Sequence, residues 1–304
     1  KDVSDLLDAG GTLEQLEPLA LEPNGDAGEP EGATGDLKLE HLGHSGAQIL
    51  ELLQRPAQPA PATGCPAPGH CRLFVGATFV GKTGEACWTA ISRASGVAPW
   101  SGVEAPAPGR VLFISPDESV EQVARRMNSL ALFHPAGPMP RWVENVTLVG
   151  IDRELEPGAL DALRFSTEGL DVLRGWLDAA ASRGEPFAEL YLDAYADFLP
   201  FGISENANEE ASHIGGALEQ LAVRTGAALT LLHHAGKPNP NAPKDDLPDI
   251  RSLSRGASAL AAKARVLSSI EEVSGQPHLR RIRTRSNLGP SPRPKLFAVC
   301  RLED

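Results

Sequence analysis

The chain has 304 residues, 41% of them hydrophobic, and a formal net charge of −12, which is room for one large or two small domains around a sizeable core. No apolar run approaches the ~20 residues of a membrane-spanning helix, and no signal peptide is visible. The 4 cysteines are too few and too scattered for a disulfide framework and fit a reducing cytoplasm.

The charge is uneven. Residues 1–55 carry 12 acidic and 3 basic side chains, a balance of −9, whereas residues 251–304 carry 4 acidic and 11 basic, a balance of +7. An acidic whole argues weakly against nucleic acid. The basic end reverses that locally, because phosphate binding depends on where the cations sit. A solvated arginine-rich strand face explains the same pattern.

In chain order, residues 1–69 read as an acidic N-terminal appendage and linker. KDVSDLLDAGGTLEQL has a short helical pattern broken at Gly10 and Gly11. Glu22 to Gly35 reads as a flexible linker, His41 to Leu53 returns to helical spacing, and Pro56 to Gly69 is a proline-rich connection. Cys65, His70 and Cys71 lie close together, but a fourth zinc ligand is missing locally, so they read as loop residues before the first strand. Lys1 in place of Met suggests a piece of a longer chain.

From residue 70 onward, strand and helix alternate. Leu73–Val75 reads as a buried strand, and GATFVGKT (Gly76 to Thr83) as a glycine-rich loop, followed by a helix from Glu85 to Ser95. Arg110–Ser115 reads as a strand, Val120 to about Leu132 as a helix, Val146–Gly150 as a strand and Leu170–Ala181 as a helix. Ala188–Ala194 is a strand finishing near Asp193, Glu205–Thr225 a helix, and Ala228–His234 a strand. Lys237–Asp249 is a polar loop and Gly256–Lys263 a helix. Val266–Ile270, Leu279–Thr284 and Lys295–Val299 close the chain as strands. This order predicts an α/β fold with a mainly parallel sheet between helices and antiparallel strands near the C-terminus.

Strand, glycine loop and helix in that order form a phosphate-binding loop. Gly76, Thr78, Val80, Gly81 and Gly84 shape a cradle of backbone amides. Lys82 reaches the β- and γ-phosphates, Thr83 offers a hydroxyl to Mg²⁺, and the helix N-terminus faces the same anion. The implied cofactors are ATP and Mg²⁺. In open parallel sheets ligands bind at the carboxyl ends of the strands. Asp117 and Glu118, Asp193, and His233 with His234 all fall at such ends. Asp193 is expected to support the metal. Asp117 or Glu118 is expected to orient the attacking water, unless they only cap the next helix. His234 is expected to sense the γ-phosphate. Arg255, just after a polar loop, is a candidate arginine finger reaching a neighbour's nucleotide.

Taken together, GATFVGKT, RVLFISPDESVEQVARRM, LYLDAYADFLPF, TGAALTLLHHAGK, SRGASAL and RTRSNLG resemble the RecA-like ATPase core of plasmid-type hexameric replicative helicases, the RepA-like group related to the DnaB-like helicases. The likeness spans about residues 70–300. It implies a RecA-like P-loop fold and ATP hydrolysis in a homo-oligomeric, hexameric ring with single-stranded DNA in its channel. It also implies that Lys82, Thr83, Asp193 and His234 serve the nucleotide, that Arg255 acts in trans, and that Arg285 is a second finger-like, nucleotide-side position. Two features depart from the family. Relatives read Glu-Asp where this chain reads Asp117-Glu118, so the base maps to an Asp. Phe79 and Val80 replace small or polar loop residues. The opening phrase is similar to the end of a primase-type (TOPRIM) domain, which implies the helicase part of a primase–helicase. The alternatives are a nucleotide-binding regulatory or loader module with little hydrolysis, and a recombinase-like filament.

Overall fold

The computed structural model describes residues 66–138, 142–156, 158–205, 207–235, 250, 258–287 and 293–298. The chain divides into a unit of residues 1–57 and a unit of residues 58–304, and the description concerns the second. The expectations for residues 1–65, for Lys237–Asp249 and for Arg255 lie outside the described residues.

Eight strands are described: β1 Cys71–Gly76, β2 Arg110–Ser119, β3 Val146–Ile151, β4 Phe187–Leu192, β5 Ala228–His234, β6 Val266–Val273, β7 Gln276–Ser286 and β8 Lys295–Ala298. The helices are α1 Lys82–Ser95, α2 Val120–Ala131, α3 Thr167–Ser182, α4 Asn208–Thr225 and α5 Ser258–Lys263. The strands form one sheet in the order β3-β2-β4-β5-β1-β6-β7-β8. Every pairing from β3 to β6 is parallel. β6–β7 and β7–β8 are antiparallel. The mainly parallel α/β sheet with antiparallel strands at its C-terminal side is thus the observed fold.

Alternation along the strands explains their unbroken apolar runs. Leu73, Val75, Leu112, Ile114, Leu190, Leu192, Leu229 and Leu231 face one layer, packed with Leu173 and Leu177 of α3 and Leu218 and Leu221 of α4. Phe74, Val111, Phe113, Tyr191 and Leu232 face the other, under Ala90 and Ile91 of α1 and Val123 and Met127 of α2. A sheet covered on both faces has no polar side to show.

Two buried ion pairs fix α1 to this sheet. Near its start, Glu85 accepts from Arg72 of β1 at 3.2 Å, and Arg72 also donates to Ser268 of β6 at 3.0 Å. Near its end, Arg93 donates to Glu189 of β4 at 2.9 Å. The helix that carries the phosphate loop is therefore held at both ends by charge-assisted bonds.

Element ends shift where side chains intervene. α3 starts before Leu170 because Ser166 caps it, accepting from the Gly169 N–H at 3.2 Å. β2 runs past Ser115 to Ser119, with an irregularity in register between those residues. Ser119, boxed with Gln122, caps α2, so Asp117 and Glu118 are not its caps. β4 ends at Leu192, which leaves Asp193 just beyond the strand.

His134 gives a prediction for stability. Its ring is buried against α1, where Nε2 donates to Ser92 Oγ at 2.9 Å and Nδ1 accepts from the Ala136 N–H at 3.0 Å. That pattern requires the neutral ring, and burial pushes its pKa down to about 4. Burial, with His234 and Lys82 nearby, does the same to His233. A free histidine titrates near ~6.5, so the unfolded chain takes up protons that the folded chain refuses between about 6.5 and 4. Stability is therefore full above that window and falls as the pH drops through it. Thermal melts should show this, and His134→Gln, which keeps a donor and an acceptor, should flatten the slope.

Candidate nucleotide-binding site

The phosphate loop leaves the carboxyl end of β1 and turns straight into α1. Gly76 has to be glycine, since a Cβ there would lie 2.6 Å from the Ile270 side chain and 2.9 Å from Val80. Gly81 closes the turn at φ 104°, in the left-handed region. Val80, unusual for such a loop, is buried in the α1–α2 core layer. Phe79 beside it has φ 62° and is 98% exposed. Thr78 is exposed on the same loop. Around Gly84 no atom lies within 4 Å of a Cβ position, leaving open space at the start of α1.

Lys82 is buried and folded back over the loop. Its Nζ donates to the carbonyls of Gly76 at 2.8 Å and Ala77 at 2.9 Å. It also lies 3.3 Å from Nδ1 of His234. An ammonium only donates, so Nδ1 is the acceptor and the ring proton sits on Nε2. Burial lowers the Lys82 pKa to about 8, and Asp193 partly opposes this.

Asp193 is buried, with its N–H donating to the Ile114 carbonyl of β2 at 2.9 Å. The Thr83 hydroxyl lies beside its carboxylate. Burial raises its pKa to about 6, helped by Asp117 and Glu118 and opposed by Thr83 and Lys82. Its Oδ2 has no hydrogen-bond partner within the protein. A buried carboxylate oxygen left open beside a threonine hydroxyl fits a hard divalent cation held mainly by phosphate and water. Thr83 and Asp193 would hold Mg²⁺ there, and the cation would neutralise charge on the phosphates. Among the described residues, no group of three or more His, Cys, Asp and Glu side chains forms a metal site of its own.

The remaining expected residues divide. β5 lies between β1 and β4, and β2 lies beyond β4, so the loop, His234, Asp193 and the Asp117–Glu118 pair line one carboxyl edge. Ser115 Oγ donates to Asp117 at 3.2 Å. Arg126 of α2 holds Glu118 on both oxygens, one bond being 2.8 Å. Burial and the Asp197 charge raise the Asp117 pKa. Arg285 lies elsewhere. It pairs in register with Leu267, which pairs with Leu73. Its position is thus well inside the strands, away from the edge that carries the loop, so the structure does not bring it to this site. Arg255 lies outside the described residues. Of the zinc-like trio, Cys65 is also outside them, His70 contacts Glu219 at 3.4 Å, and burial raises the Cys71 thiol.

Two further residues shape this edge: His233, expected beside His234 at the end of β5, and Arg280, which was not anticipated. His233 is 1% exposed, has neither ring nitrogen partnered, and meets the Tyr195 ring edge-on at 5.2 Å. Arg280 of β7 donates Nε to the Val80 carbonyl at 2.9 Å, and its Nη1 bonds the Pro277 and Leu279 carbonyls. It ties the antiparallel hairpin to the phosphate loop. Arg280→Ala should loosen that loop and weaken ATP binding by roughly tenfold, the scale of one lost charge-assisted bond, with a smaller change in kcat. Steady-state KM and kcat check this. Two other cations of the basic segment have local partners: Arg281 and Arg283 pair with Glu271 at 3.6 and 3.1 Å.

A phosphate loop on β1, a buried carboxylate two strands away and a parallel sheet delivering both to one edge define a P-loop nucleotide-binding protein. A family profile described as an AAA domain matches residues 51–240, over half of the chain, and the chain belongs to that family. Membership marks it as an ATPase. No curated protein matches it. Among the described residues no helix is long and apolar enough to cross a membrane.

Proposed function

We propose that this chain is an ATP-driven motor on single-stranded DNA, of the replicative helicase type, working as a ring. The observation that supports this best is the contact between Lys82 and His234. His234 ends β5, and the chain continues within two residues into the polar segment from Lys237. A residue that feels the γ-phosphate is thus placed to report its loss to a segment carrying Lys237 and Lys244. Arg255, 21 positions beyond His234 in the sequence, is the arginine offered to a neighbouring subunit, and Arg285 a second. On the other side of the site, Phe201 follows Asp193 and is 76% exposed, with the Arg164 guanidinium 3.8 Å over its ring. An aromatic ring backed by a cation suits stacking on a base. A primase, covalently linked or associated, is the partner that completes the proposal.

Phosphate release with and without single-stranded DNA tests it. The motor reading expects strong stimulation that fades with salt, and its absence sinks the reading. A second reading is favoured by one observation. Glu118 is locked by Arg126, so a module that binds ATP but barely hydrolyses it would look the same here. That reading expects tight nucleotide binding with slow, DNA-independent turnover.

A further inference from the structure

Hydrolysis at this site needs a carboxylate to orient and deprotonate water, and the end of β2 supplies two in succession with unequal surroundings. Glu118 is gripped on both oxygens by the Arg126 fork, through Nη1 to Oε2 at 2.5 Å and Nη2 to Oε1 at 2.8 Å. The buried Cys87 of α1 lies near Arg126. Both members of the pair are partly buried, at 34% and 25% side-chain exposure. Asp117, by contrast, receives one neutral side-chain bond, from Ser115 at 3.2 Å. It opens on a cavity of about 240 Å³ lined by Pro116, Asp161, Arg164 and Asp197.

A two-bonded arginine–carboxylate pair is among the stronger polar contacts in a protein. That pair takes an acceptor position on each Glu118 oxygen and ties the side chain to α2, leaving it less free than Asp117 to meet the water. We infer that Arg126 is a positioning residue that withholds Glu118 and so leaves Asp117 as the base. The inference rests on the ATPase reading of the site. In the step concerned, the water oxygen bonds to the γ-phosphorus as the bond to the ADP oxygen breaks. ADP leaves with the electron pair, and the water proton passes to Asp117. The inverted Asp-Glu order then has a physical meaning: the longer carboxylate reaches the arginine, and the shorter one is left at the edge.

The test uses the full chain and two readouts, phosphate release at saturating Mg–ATP and equilibrium binding of a fluorescent ATP analogue. Asp117→Asn should lose on the order of 10²-fold or more in turnover while still binding nucleotide. Glu118→Gln should lose less. Adding Arg126→Ala to Asp117→Asn should restore part of the turnover, because the freed Glu118 takes the role. A further Glu118→Gln should remove the gain. A merely structural Arg126 predicts no rescue. If the Arg126→Ala chain fails to fold, Arg126→Lys, which cannot form the fork, takes its place. Two results overturn the inference: Glu118→Gln as inactive as Asp117→Asn, or a folded, nucleotide-binding Asp117→Asn/Arg126→Ala chain with no recovery. A wild-type chain that binds no nucleotide would instead overturn the ATPase reading, and this assignment with it.

Discussion

Lys82→Ala is expected to reduce ATP turnover by about 10²–10³-fold, the usual loss when a single charge stabiliser is removed from a dry site. The lysine joins three parts of the edge. It bonds two loop carbonyls, approaches His234 at 3.3 Å, and shares its field with Asp193. Without a ligand its ammonium is buried, and that burial lowers its pKa to about 8. A triphosphate placed in the loop supplies the missing counter-charge and raises the pKa again. Binding should therefore take up a proton near pH 8, and affinity should fall as the pH rises above it. Calorimetric titration in buffers of different ionisation enthalpy reads the uptake directly. The Lys82→Ala chain should show no such buffer dependence. A wild-type titration without proton uptake would mean that no phosphate reaches Lys82.

Asp193→Asn should separate stability from activity. Asparagine keeps the size of the side chain and an oxygen beside Thr83, but it removes a charge that burial makes costly. The ligand-free protein should melt no lower than the wild type. Activity should fall 10–100-fold, the scale seen when a group supporting a metal is changed, and half-maximal rate should need more Mg²⁺. The reason is Oδ2, buried without a protein partner. If the Mg²⁺ requirement is unchanged, the carboxylate is a structural group and the metal sits elsewhere.

The core of the site was legible because its signals are local. Glycine spacing, the Lys82–Thr83 pair and the polar residues that end apolar strands need only a few neighbouring positions to be read. What escaped notice depends on register between distant segments. Arg280 reaches Val80 across 200 positions, and only the pairing of β7 with β6 brings them together. Arg126 was visible as one of two arginines on a helix, but the irregular end of β2 turns Glu118 toward it. The basic C-terminal segment promised a nucleic-acid surface by composition. The hairpin register sets Arg281 and Arg280 of that segment opposite Glu271 and Glu272. His233 was read as half of a pair, yet strand alternation buries it and leaves His234 facing the lysine.

All of this depends on four strand ends sharing one anion. The most direct measurement is a structure of the chain with Mg²⁺ and a non-hydrolysable ATP analogue. The account predicts the triphosphate along residues 76–84, with Lys82 turned from the loop carbonyls to the phosphates and the metal beside Thr83 and Asp193. A nucleotide bound away from that loop, or a metal that leaves Asp193 untouched, would contradict it.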